Sequence, residues 1–158
     1  MKINAGLLRR GMGWWPPFLG AGIRVRSFAD DFREAVVELK MGRLNRNYVG
    51  THFGGSLYAM TDPFFMIMLL HNLGGDHLVW DKSGSIEYVA PGRGTVRAHF
   101  ALTEQRIAEI RAQAAGGEKV LPEFQVEVRH VEDDSLVALV RKILYVRLKP
   151  RHRPQEEK

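Results

Sequence analysis

The chain contains no cysteine. Disulfide staples, thiolate metal sites and cysteine nucleophiles are thereby excluded, and the composition suits a reducing compartment, so the expected location is cytoplasmic. No apolar run reaches the length of a membrane span. Residues 64–70 are strongly apolar, but extending them toward about eighteen residues takes in Asp62, His71 and Asn72. Arg9 and Arg10 interrupt the apolar residues near the start, so no leader peptide is expected. Three chemical signatures are also missing. There is no phosphate-cradling G-x-x-x-x-G-K-[ST] loop, Ser56 lacks the full G-x-S-x-G pattern of a nucleophile elbow, and His71, Asp76 and His77 lack a recognised metal-ligand spacing. No metal and no cofactor are expected.

Charge is biased but not concentrated into a recognisable reader of anions. Lys and Arg number 23 against 18 Asp and Glu, a formal net charge of +5. Part of the excess lies in RLKPRHRPQ, where Arg147, Lys149, Arg151 and Arg153 are close together. A solvated basic tail over residues 150–158 is the expected reading. Without a finger motif, a glycine-rich RNA-binding signature or an extended basic tract, nucleic acid is not an expected partner.

What is present is one folded domain. With 158 residues and 45% apolar content, a single core is expected over residues 21–149, preceded by an N-terminal arm over residues 1–20. Asn4 is placed to cap a short helix over residues 4–12, and the Trp14-Trp15-Pro16-Pro17-Phe18 run ends it as a stiff, packed arm. Strands are expected over residues 23–26, 33–39, 85–90, 95–102, 123–129 and 136–148, from their alternation or their continuous apolar character. Residues 54–73 are apolar on every face, which predicts a helix enclosed by protein and ended by Gly74-Gly75. A shorter helix is expected over residues 103–115, capped by Thr103. One buried helix among many strands needs a curved antiparallel sheet around it, so the fold class is α+β. Strands that leave an edge uncovered also predict pairing with a second copy.

The stretch GTHFGGSLYAMTDPFF, residues 50–65, concentrates the candidate chemistry. Gly54 and Gly55 can leave backbone N–H groups open at a helix start, where a developing oxyanion would be received. The alternative is close packing that tolerates no Cβ. Asp62 is a carboxylate inside an apolar helix, which marks it as a base or nucleophile. Asp62-Pro63 is equally an N-cap followed by a first-turn proline, and the sequence leaves both readings open. Asn47 can orient water or a carbonyl, and His52 can move a proton near neutral pH. Each can instead satisfy a turn.

The stretches WPPFLGAGIRV (15–25), GTHFGGSLYAMTDPFF (50–65), VWDKSGSIEYVAPG (79–92) and KILYVRLK (142–149) together resemble the hotdog superfamily, specifically its DUF4442 branch. The likeness to PaaI-type acyl-CoA thioesterases is more distant. The resemblance implies a long central helix wrapped by an antiparallel sheet, a homodimer or dimer of dimers, and active sites at the subunit interface. In PaaI-like enzymes an Asn precedes a His-Gly-Gly helix start and an Asp follows along the helix. Asn47, Gly54, Gly55 and Asp62 match those positions, Phe53 stands at the His position, and His52 precedes it. The implied activity is acyl-thioester hydrolysis with Asp62 as base or nucleophile, coenzyme A being part of the substrate. Phe53, Tyr58, Phe64 and Phe65 would line the acyl pocket, and Arg93, Lys119, Arg141 or Lys142 would meet coenzyme A phosphates. The competing expectation is a noncatalytic acyl or lipid-ligand binding module. A hotdog acyl-carrier dehydratase is a third option, at odds with the position of the acid.

Overall fold

The computed structural model describes residues 4–152; the end of the expected basic tail lies outside them. Asn4 accepts from the Leu7 amide at 2.7 Å and starts α1 (Ala5–Trp14). The first helix ends at Trp14, and Pro16 and Pro17 do more than stiffen the arm that follows. They open a second short helix, α2 (Pro16–Ala21), because the first helical turn needs no N–H donors from them. Gly22 then turns the chain at φ +78° into β1 (Ile23–Phe28).

The remaining strands are β2 (Glu34–Lys40), β3 (His77–Tyr88), β4 (Thr95–Ala101), β5 (Glu123–His130) and β6 (Leu136–Leu148). They form one antiparallel sheet in the order β1-β2-β4-β5-β6-β3. The inner face carries alternating buried residues: Val37 and Leu39, Val96, Ala98 and Phe100, Phe124, Val126 and Val128, then Ala138, Val140, Leu144 and Val146. Lys142 stands in that last row, between Val140 and Leu144.

The buried helical segment runs where the sequence places it, across the inner face, but as α3 (Gly54–Ala59) and α4 (Phe64–Leu73). The cause of the interruption is Pro63, which has no N–H to donate. Locally freed carbonyls are met otherwise. Ala59 accepts from the Asp62 amide, and Tyr58 accepts from both the Thr61 amide and the Thr61 hydroxyl, the latter at 2.7 Å. Beyond the break, Phe64 packs against Phe18, Phe28 and Phe100, while Phe65 stacks on Phe124 and meets Phe100 edge-on. Burying such rings contributes several kcal/mol each, so α4 is fixed on the sheet with little freedom to rotate. The last helix, α5 (Glu104–Ala114), is capped by Thr103 as expected and buries Ile107, Ile110 and Ala114.

β3 is longer than the sequence suggests, beginning at His77. It is an edge strand with most of its residues exposed, so burial does not impose alternation on its sequence. Its register on β6 slips between Asp81 and Ser83, leaving Lys82 as an extra residue.

A second buried polar group stabilises the loop ahead of α3. The Asn45 side chain donates to the Ala21 and Lys40 carbonyls at 2.6 and 2.8 Å and accepts from the Gly42 amide at 2.7 Å. It ties the start of β1 to the end of β2. Asn45→Ala would strand three backbone groups, and a loss of about 3 kcal/mol in unfolding free energy is expected. Urea denaturation checks this: the midpoint falls while the slope stays unchanged.

Candidate active site

The loop before α3 is organised by Asn47. Its Oδ1 accepts from the Val49 and Thr51 amides, and its Nδ2 donates to Thr51 Oγ1 at 2.8 Å and to the His52 carbonyl at 3.2 Å. The amide is thus occupied within its own loop. His52 follows, only 2% exposed, with Nε2 3.2 Å from the Gly94 carbonyl and Nδ1 buried without a partner among the described residues. Burial holds the His52 imidazole below its usual range, aided by the charge of His130 and opposed by the Gly94 carbonyl.

At Gly54 the chain enters α3. The N–H groups of Gly54 and Gly55 meet no acceptor among the described residues, whereas the Ser56 and Leu57 amides both return to the Phe53 carbonyl. Neither glycine has room for a Cβ: at Gly54 it would lie 2.7 Å from the Tyr88 hydroxyl, and at Gly55 it would collide with the Phe53 ring. Next to this helix start lies a groove of about 440 Å³, lined mainly by Asn47, Val49, His52, Gly54, Leu57 and Tyr88. Its remaining wall is the turn through Val89 to Gly92. Arg93, next in the chain after Gly92 of that turn, donates to the Gly50 carbonyl at 3.3 Å.

Asp62 is not in this groove. From Gly54 it is about 12 Å further along the helical path at the ordinary rise per residue. Nor does it cap α4, which begins after Pro63 with no side-chain cap. Its Oδ1 instead accepts from Lys142 Nζ at 2.7 Å. The Asp62 side chain is 52% exposed and the lysine 1%. The same ammonium lies 3.2 Å from Asp81 Oδ1, close enough for an ion pair but out of line for a hydrogen bond, which leaves that buried oxygen without one. It also sits 5.2 Å from the centre of the Tyr58 ring. Burial is the largest influence on Lys142 and would lower its basicity, yet the Asp62 hydrogen bond and the charges of Asp81 and Asp62 outweigh it and raise it. Burial pushes the Asp81 carboxyl up, with Lys142 only partly opposing this and the Asp62 charge adding to it.

Of the residues expected at a site, the fold brings Asn47, His52 and Gly54 together, with Gly55 and Phe53 alongside. Tyr58 belongs to the lysine cluster instead. Phe64 and Phe65 face the aromatic core and contribute nothing to the groove. Lys119 is exposed beside Val120, which bridges to Val146, whereas Tyr88 in the groove pairs with Ala138, roughly 25 Å away along β6. Lys142 is buried and cannot meet a phosphate in solvent. Asp81 is missing from the sequence reading; its signal is faint, a lone acid in a polar edge strand. Lys142 had a clearer one, since counting by twos from Val140 to Leu144 places it on the apolar face.

A family model described as a domain of unknown function (DUF4442) matches residues 5–146. No curated protein sequence matches the chain. Among solved structures, the chain is similar to a Pseudomonas aeruginosa protein of unknown function described as a probable thioesterase, at 18% identity, TM-score 0.80, over 94% of this chain and 99% of that one. It is similar to a thioesterase from Haemophilus influenzae at 14% identity and TM-score 0.67, covering 99% and 97% of the two chains. The PaaI protein of the E. coli phenylacetic acid degradation operon aligns at 17% identity and TM-score 0.61, over 90% of each chain. At such identities these likenesses establish the fold, a hotdog helix within an antiparallel sheet.

Burial also lowers His71, which stacks on Phe32, and His77. With His52, these groups bind protons less readily folded than unfolded. Below the ordinary histidine range the unfolded chain therefore holds more protons, so stability falls as pH falls. The urea midpoint is expected to drop between about pH 7 and about pH 5, and His52→Gln to reduce that drop.

Proposed function

The chain belongs to the DUF4442 family, and on that premise we propose that it hydrolyses acyl-thioesters, with acyl-coenzyme A as the leading substrate class. The observation that carries this reading is the half-exposed Asp62 carboxylate, held by Lys142 and not spent on capping α4. A carboxylate oriented by a fixed cation and open to solvent is a suitable general base.

The groove and the acid lie at opposite ends of one strand, and a homodimer would join them. α3 runs alongside β3 in reverse: Gly54 lies against Tyr88, Tyr58 against Gly84, and Asp62 reaches Asp81 through Lys142. β3 is a sheet edge carrying the exposed side chains of Trp80 and Tyr88. If β3 pairs antiparallel with its copy about a two-fold axis between Gly84 and Ser85, Tyr88 of one protomer meets the Asp81 position of the other. Each groove then faces the partner's Asp62.

In the proposed reaction Asp62 takes a proton from water as the water oxygen attacks the thioester carbonyl. The N–H groups of Gly54 and Gly55 receive the negative charge on the carbonyl oxygen. Collapse of the intermediate expels the thiolate, which recovers the proton, giving a carboxylic acid and a free thiol. Val49, Leu57 and Val89 would cover the acyl chain near the groove, and Arg93, next in the chain after Gly92, would meet coenzyme A phosphates. A second reading, ligand binding without turnover, is favoured by one feature: the Asn47 amide is occupied in its own loop, leaving no free amide to orient water.

Release of free thiol from short, medium, long and aryl acyl-coenzyme A substrates tests the proposal. Asp62→Ala is expected to fold and to lower kcat by about a hundredfold or more. Unchanged turnover in the folded variant would rule out the role of Asp62, and ligand retention in native mass spectrometry without any turnover would favour the binding module.

A further inference from the structure

We infer that Lys142 is a positioning residue for this hydrolysis, its buried ammonium holding Asp62 toward the reacting water while Asp81 competes for the same charge. The inference rests on the thioesterase reading above and deepens it.

Packing alone does not require a lysine here. The row Val140, Lys142, Leu144 faces an apolar core, and Phe124 is its cross-strand neighbour on β5. An apolar side chain of similar volume at such a position is often neutral or stabilising, whereas a buried ammonium is costly to desolvate. The surroundings are nevertheless arranged for the ammonium. The break at Pro63 turns Asp62 toward it, and the extra residue Lys82 resets the strand so that Asp81 also reaches it. Gly84, paired with Lys142 across the strands, leaves space for the lysine stem and the Tyr58 hydroxyl; a Cβ there would lie 3.0 Å from Lys142 Cδ and would collide with that hydroxyl.

The groups facing the ammonium are therefore Asp62 from the helix break, Asp81 from β3 and the Tyr58 ring from α3. Two carboxylates on one cation leave a net negative charge. Asp81 at 3.2 Å draws part of the lysine charge to itself. Lys142 keeps its proton throughout. Only Asp62 exchanges one, from water to the departing thiolate.

The test uses the full chain with Lys142→Met and Asp81→Asn, hexanoyl- and benzoyl-coenzyme A as probes, and carbon-13 NMR of the aspartate carboxyls. With Lys142→Met, kcat is expected to fall about a hundredfold with KM nearly unchanged. The acid limb of the rate profile should move up, and the Asp81 carboxyl, no longer opposed by the lysine charge, should titrate higher than in the parent. Asp81→Asn, which keeps the Asp62–Lys142 pair and so guards against a folding failure in the first variant, should move the acid limb the opposite way. A folded variant of either kind with the parental kcat and acid limb overturns the inference. If the parent cleaves neither probe, the thioesterase reading fails separately, and an unmoved Asp81 titration in Lys142→Met then also defeats the charge-sharing arrangement.

Discussion

One buried ammonium organises this half of the molecule. Lys142 occupies an inward position on β6 where its neighbours are apolar, and the chain meets it with two carboxylates and an aromatic face. Left alone, a buried ammonium or an uncompensated pair of acids would cost several kcal/mol. The helix break, the irregular register of β3 and the bare backbone at Gly84 all act to bring those charges together. Asp62 is a consequence of this arrangement: drawn to Lys142, it is unavailable to cap α4.

The same sheet order separates the parts of the proposed site. Because β3 pairs only with β6 among the described residues, one of its sides is an open edge there, and α3 runs beside it with the glycines at its start and Asp62 just beyond its end. Within one chain the groove beside Gly54 does not include Asp62, so the proposed site would be incomplete there. Two-fold pairing of that edge would complete two sites at once, which connects the open edge to the proposed chemistry.

The sequence was most legible where burial repeats regularly. The inward rows of β2, β4 and β5, the cap at Thr103 and the apolar residues of α4 all follow from alternation or capping chemistry, and the α+β class follows from them. β3 was only half visible because an exposed edge strand has no buried face to write a pattern. Pro16 and Pro17 read as a stiff arm because proline both stops helices and starts them. At the site, the glycines were legible as a pair at a helix start, although the Tyr88 and Phe53 rings that crowd them were not. The inward position of Lys142 could be counted from Val140 and Leu144, but its partnership with Asp81 could not, since it spans distant segments and depends on a strand irregularity that no local rule reveals. Phe64 and Phe65 illustrate the opposite error: adjacent to Asp62 in sequence, they are turned by the helix into the core.

Intersubunit complementation tests most directly whether each site is shared. Asp62→Ala removes the acid, and Gly54→Val obstructs the groove against the Tyr88 hydroxyl. Each variant alone should be inactive toward acyl-coenzyme A. After subunit exchange at equal ratio, mixed dimers hold one intact groove facing one intact Asp62, and activity should return to about a quarter of the parental value under random pairing. Verified exchange without any return of activity would contradict a site built from two copies.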